Sequence, residues 1–110
     1  AGTAPKAVLI YPTAGTVLTP GQLVHVRWTV QDPDSQKFCE QEIFMTVKGT
    51  RYQISPEMGY RTRRYNWYVP NIPGNAVIDL HLGCERGSRW EASFPQPNNW
   101  FTIKAIDSTN

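Results

Sequence analysis

His25 and His81 are the only two histidines in the chain, and imidazole is the side chain best suited to moving protons near neutral pH. Each sits on the polar side of an alternating segment, Val24-His25-Val26-Arg27-Trp28 and Ile78-Asp79-Leu80-His81-Leu82. The two segments are expected in opposite sheets of a sandwich, so the histidines share neither a metal ion nor a nucleophile. Asp79 and His81 do share a face, which is half of an acid–base site without a nucleophile or a pocket. Glu40 and Glu42 share another face with Cα atoms about 7 Å apart, a spacing that glycoside hydrolysis can use. Outward carboxylates and imidazoles on a strand are ordinarily just solvated. The chain has no glycine-rich phosphate cradle, zinc-ligand spacing or nucleophile elbow. These residues therefore read as non-catalytic, with no cofactor and no metal.

The cysteines carry a stronger signal. Cys39 opens the alternating run Cys39-Glu40-Gln41-Glu42-Ile43-Phe44-Met45-Thr46-Val47, and Cys84 closes the run that begins at Ala76. If these strands pair antiparallel, the start of one meets the end of the other and the sulfurs come within bonding range. A Cys39–Cys84 disulfide within one sheet is therefore expected. It would clamp the roots of two neighbouring loops and favours an oxidising, secreted setting.

One of those loops is rich in binding-type residues. Glu85 to Asn98 reads as a long connection bearing Arg86, Arg89, Trp90 and Phe94, well beyond the two to five residues of an ordinary hairpin. Trp and Arg are the types most enriched at binding hot spots. In a sandwich, the loop around Asp32 to Lys37 and the loop around Pro56 to Arg61 lie at the same end. Tyr60, Arg61, Arg86, Arg89, Trp90 and Phe94 are thus the candidate ligand-binding residues, an aromatic and cationic set suited to a sugar ring or a protein partner. Trp90 and Phe94 are expected either to contact ligand or to fold back as plugs over the sandwich end; if Trp90 contacts ligand, its loss is expected to weaken binding with little loss of stability.

The elements that position these residues follow from period and punctuation. Val24, Val26, Trp28 and Val30 alternate with polar residues, as a half-buried strand requires. Ala7 to Tyr11 is a short run stopped by Pro12. Strand patterns also cover Arg51 to Ile54, Arg63 to Val69, Ala76 to Cys84 and Trp100 to Ile106. The first or the last strand is expected to present a sheet edge, partly protected by Pro12 and Lys104. Nine prolines and eight glycines separate the segments. About seven short strands with regular turn signals predict one immunoglobulin-like or fibronectin-III-like β-sandwich over residues 1–110. Val24, Val26, Trp28, Ile43, Met45, Trp67, Ile78, Leu80, Phe101 and Ile103 form its expected core. A formal charge of +2 is too small to argue for nucleic acid. Arg63 and Arg64 beside Tyr65, Trp67 and Tyr68 read as a strand and not as a single-strand binding surface. No apolar run approaches a membrane span. Ala1-Gly2-Thr3-Ala4-Pro5 reads as a mature N-terminus after signal cleavage or as a remnant of expression. Oligomeric state is not encoded.

Several signals recur in a known order: Ile10-Tyr11-Pro12-Thr13-Ala14-Gly15-Thr16, then Pro20-Gly21-Gln22, then Val24-His25-Val26-Arg27-Trp28-Thr29-Val30. Trp67-Tyr68-Val69-Pro70, Ala76-Val77-Ile78-Asp79-Leu80 and Trp100-Phe101-Thr102-Ile103 follow. The chain resembles the immunoglobulin-like domain of fungal Ser/Thr-rich, GPI-anchored cell-wall proteins and of β-1,6-glucan-synthesis proteins. That resemblance implies an extracellular, fungal, wall-associated or secreted protein without enzyme activity. The expected partner is cell-wall polysaccharide, β-glucan above all. The 110 residues hold no Ser/Thr-rich tail and no hydrophobic anchor, as expected either of a fragment or of a free secreted form, which leaves wall anchoring open. The alternative is a secreted protein-binding module, such as an effector, an immunomodulatory protein or a ligand for a host or cell-surface receptor. Pro12-Thr13-Ala14-Gly15 is also similar to the Pro-Thr-Thr-Gly loop of chagasin-type protease inhibitors, but it precedes the first long strand, so inhibition is the weakest of these readings.

Overall fold

The structure is a computed structural model that describes residues 4–31, 38–85 and 89–106. Within them the chain forms β1 (Lys6–Tyr11), β2 (Thr16–Leu18), β3 (Leu23–Gln31), β4 (Glu40–Val47) and β5 (Thr50–Gln53). β6 (Met58–Gly59), β7 (Arg64–Tyr68), β8 (Gly74–Cys84), β9 (Trp90–Pro95), a 3₁₀ turn (Pro97–Asn99) and β10 (Phe101–Ile103) complete it. A smaller sheet has the order β1-β3-β7. A larger sheet runs β2-β10-β8-β4-β5, with β6 added beside β4 and β9 beside β8. This is an immunoglobulin-like β-sandwich. No described helix is long and apolar enough to cross a membrane.

Alternation builds the core. Along β3, Val24, Val26 and Trp28 are buried while Leu23, His25, Arg27 and Thr29 are exposed. Along β4, Gln41, Ile43, Met45 and Val47 are buried. All ten residues expected inside are buried, because period-two segments can present only one face to a facing sheet. The β4–β5 hairpin closes through Lys48 and Gly49, both with positive φ, the backbone that matches a two-residue turn to strand twist.

β4 and β8 are antiparallel neighbours, with Glu40 opposite Gly83. Cys39 and Cys84 lie beside this pair with Cα atoms 4.9 Å apart and form the disulfide. The bond joins adjacent strands of one sheet, as the spacing predicts.

One expectation changes. The segment from Glu85 to Asn98 is not one long loop: Trp90–Pro95 is a strand paired with β8, from Cys84 opposite Trp90 to Asp79 opposite Pro95. Its Trp90, Ala92 and Phe94 alternate with Glu91 and Ser93, so pairing hides one side chain in two. Of the first and last strands it is β1 that lies at an edge, while β2 pairs with β10 in parallel on the side away from β8. The chain leaves the smaller sheet after Tyr11 and rejoins the larger one at Thr16. Gln96 then serves β1 as a substitute neighbour: its Oε1 accepts from Leu9 N–H at 3.0 Å and its Nε2 donates to Ala7 C=O at 3.1 Å.

Candidate functional site at the disulfide end

Four strands converge where the disulfide lies. Gly59 of β6 faces Glu40 of β4, Glu40 faces Gly83 of β8, and Gly83 faces Glu91 of β9. The Cys39 N–H donates to Gly83 C=O at 3.0 Å, so the ladder continues to the crosslink.

The connection from Gly59 to Arg63 is held from beneath. Gln41 faces inward by strand parity and is only 2% exposed. Its Oε1 accepts from Trp28 Nε1 of the opposite sheet at 3.0 Å. Its Nε2 donates to Gly59 C=O at 2.7 Å and also to Thr62 C=O. One amide thereby ties both sheets to this connection. Arg63 adds a second clamp, donating from Nη1 to Tyr60 C=O at 2.6 Å and to Thr62 C=O at 2.8 Å. Burial lowers the pKa of this guanidinium below its ordinary value, although arginine stays charged throughout the usual pH range.

On this support stands a compact aromatic and cationic patch. Tyr60 meets buried Phe38 edge to face, with ring centroids 6.0 Å apart. Arg61 Nε donates to Tyr60 Oη at 2.9 Å, and its guanidinium carbon lies 5.3 Å from the Tyr60 ring centre. Arg63 packs 5.8 Å from the Phe38 ring centre. Edge-to-face and cation–ring geometry fix both rings before any ligand arrives. Tyr60 accepts from Arg61, which leaves its own O–H to donate.

No protein-family model matches this chain, and no curated protein sequence matches it. The site therefore rests on its own geometry.

The candidate residues divide as follows. Tyr60 and Arg61 form the patch just described. Trp90 starts β9 opposite Cys84, half-buried and packed on the core. The order β6, β4, β8, β9 sets it three strand spacings, about 14 Å, from the Tyr60 side. Arg89 is exposed, with Nη2 3.4 Å from Glu85 Oε1. Phe94 lies four residues along β9, about 13 Å from Trp90, half-buried against the core opposite Leu80. Arg86 and the loop 32–37 lie outside the described residues. Sequence reasoning missed Phe38, Gln41 and the supporting role of Arg63. Gln41 was legible, since it shares parity with Ile43 and Met45.

Between the two aromatic positions is a recess of about 480 Å³ lined by Cys39, Glu40, Glu57, Met58, Gly59 and Glu85. A hydrogen bond with Glu57 is the main cause of a raised Glu40 pKa, aided by burial and by repulsion from Glu57, Glu85 and Glu42. Among the described residues no cluster of His, Cys, Asp or Glu could hold a metal ion. His25 and His81 occupy different sheets. Asp79 pairs with Arg51 at 3.2 Å, while His81 Nδ1 lies 3.0 Å from Ser93 Oγ and its Nε2 3.6 Å from Glu91 Oε1. These groups stand on the outer face of the larger sheet.

Proposed function

We propose that the protein is a non-catalytic extracellular binding module that holds cell-wall polysaccharide, β-glucan first, at the disulfide end. The observation that carries this reading is the Tyr60–Arg61 patch, fixed by Phe38 and Arg63 and anchored through Gln41. An ordered aromatic face beside hydrogen-bond donors suits a pyranose ring, whose C–H face stacks while its hydroxyls seek partners. Prior order lowers the entropic cost of binding. Half-buried Trp90 and exposed Arg89 offer a second contact further along a polymer. The disulfide fits an oxidising location, and the resemblance to fungal wall domains points the same way.

The test is retention on insoluble β-1,3-glucan and chitin. Wild-type protein is expected to sediment with β-glucan. Tyr60→Ala combined with Arg61→Gln is expected to reduce that retention at least five-fold while the fold persists.

A second reading is a secreted protein-binding module. It is supported by Arg51, whose guanidinium carbon lies 3.7 Å over the Phe44 ring on the open face of the larger sheet, a pairing of the residue types that anchor protein interfaces. Retention on a cell-surface protein with none on either polysaccharide would favour it.

A further inference from the structure

The carboxylates are confined to one of the two sheets, while cations occur on both. β1, β3 and β7 contain no acidic residue, and their exposed positions include Lys6, His25, Arg27 and Arg64. The six carboxylates among the described residues, Glu40, Glu42, Glu57, Asp79, Glu85 and Glu91, all belong to the larger sheet or its connections.

Within the cationic face the register does something costly. Arg27 lies directly opposite Arg64, and Tyr11 flanks it on the other side. Like charges facing each other across antiparallel strands destabilise the pair. Among the described residues neither guanidinium has a carboxylate partner, since the ion pairs use Arg51, His81 and Arg89. Cβ atoms of facing residues lie about 5 Å apart, so the two guanidinium forks can close on one oxyanion. In the next row His25 Nδ1 donates to Asn66 Oδ1 at 2.7 Å, which orients the ring. Beyond it Leu23 faces Tyr68, which is 69% exposed. Tyr11, Gln22, Leu23, His25, Arg27 and Arg64 line a cleft of about 390 Å³, within the range of small-ligand sites.

We propose that this cleft recognises an acidic saccharide, with Arg27 and Arg64 gripping one carboxylate or phosphate group of the chain. Tyr11 and Leu23 would offer apolar surface to the adjoining ring. A saccharide chain is the favoured occupant because Arg64 lies three residues beyond Arg61, no more than about 11 Å away. A polymer bound at the Tyr60–Arg61 patch would need to span no more than that separation to meet Arg64. The assignment rests on the polysaccharide-binding reading but uses separate residues.

The experiment titrates the intact protein with hexagalacturonate, a phosphorylated mannan oligosaccharide, inorganic phosphate and neutral laminarihexaose. At least one acidic oligosaccharide is expected to bind, more weakly as salt rises. Arg27→Gln combined with Arg64→Gln is expected to raise its Kd at least ten-fold, leave laminarihexaose binding unchanged, and keep the melting temperature level or higher because a repulsion is removed. Tyr60→Ala is expected to show the reverse pattern for laminarihexaose. If neither acidic oligosaccharide binds, or the double variant binds it normally, the proposal is overturned even where β-glucan retention holds. Inorganic phosphate binding as tightly as the oligosaccharides would contradict a saccharide site. Sedimentation showing that the arginines serve only a contact between copies of the chain would do so too, as would a lower melting temperature.

Discussion

Gln41 shows how much one side chain can organise. Its buried amide satisfies Trp28 Nε1 across the sandwich and two carbonyls beneath the Tyr60 patch. Gln41→Leu keeps the volume but strands buried Trp28 Nε1, which costs about 1–3 kcal/mol when left unpaired, while the Gly59 and Thr62 carbonyls each lose one donor and keep the Thr62 N–H and Arg63 Nη1. Urea unfolding is expected to show a loss of about 1–3 kcal/mol, with glucan retention reduced as the Gly59–Arg63 connection loosens. Glu40 makes the opposite prediction. Its pKa is raised by Glu57 and by neighbouring Glu85 and Glu42, so the folded protein holds that proton more tightly than the unfolded chain. The associated stability is full below the ordinary carboxylate range and is lost as pH rises through the elevated value. Glu40→Gln is therefore expected to raise the melting temperature at pH 7 by about 1–2 °C, the scale of an exposed charge interaction. That gain should vanish near pH 4, and an equal gain at both pH values would contradict the repulsion.

At the scale of elements, the disulfide fastens β4 to β8 across a sequence separation of 45 residues. Replacing both cysteines with serine is expected to cost about 4 kcal/mol by loop-entropy reasoning, measurable by denaturant unfolding. Strand parity placed this bond correctly because two clean alternations end in cysteine. β9 was harder to read. Ala92 and Ser93 are weak strand formers, and Pro95, Pro97 and Gly87 are strong turn signals, so local punctuation hid a short alternation that pairing with β8 enforces. The consequence falls on Trp90. As a loop residue its truncation would leave stability nearly unchanged; packed on the core, Trp90→Ala is expected to lower stability by about 1–2 kcal/mol. Thermal and binding measurements on the same variant separate this packing from any ligand contact.

At the scale of the whole molecule, the sandwich combines a pre-ordered aromatic patch at one end with a smaller sheet whose charged side chains are all cationic and a larger one that carries both signs. The fold was legible because its core follows a period of two. The patch was only half legible, since Tyr60 and Arg61 stand out by type while Phe38, Gln41 and Arg63 gain their meaning only when the sheets meet. The confinement of the carboxylates to one sheet was invisible to a net charge of +2 because a sum does not record where each sign lies. The account turns on whether the patch holds polysaccharide. Co-sedimentation with insoluble β-1,3-glucan, comparing wild type with Tyr60→Ala/Arg61→Gln at matched folded concentration, tests this most directly. The account predicts retention that falls at least five-fold in the variant. Wild-type protein left entirely in the supernatant, or a folded variant retained as well as wild type, would contradict it.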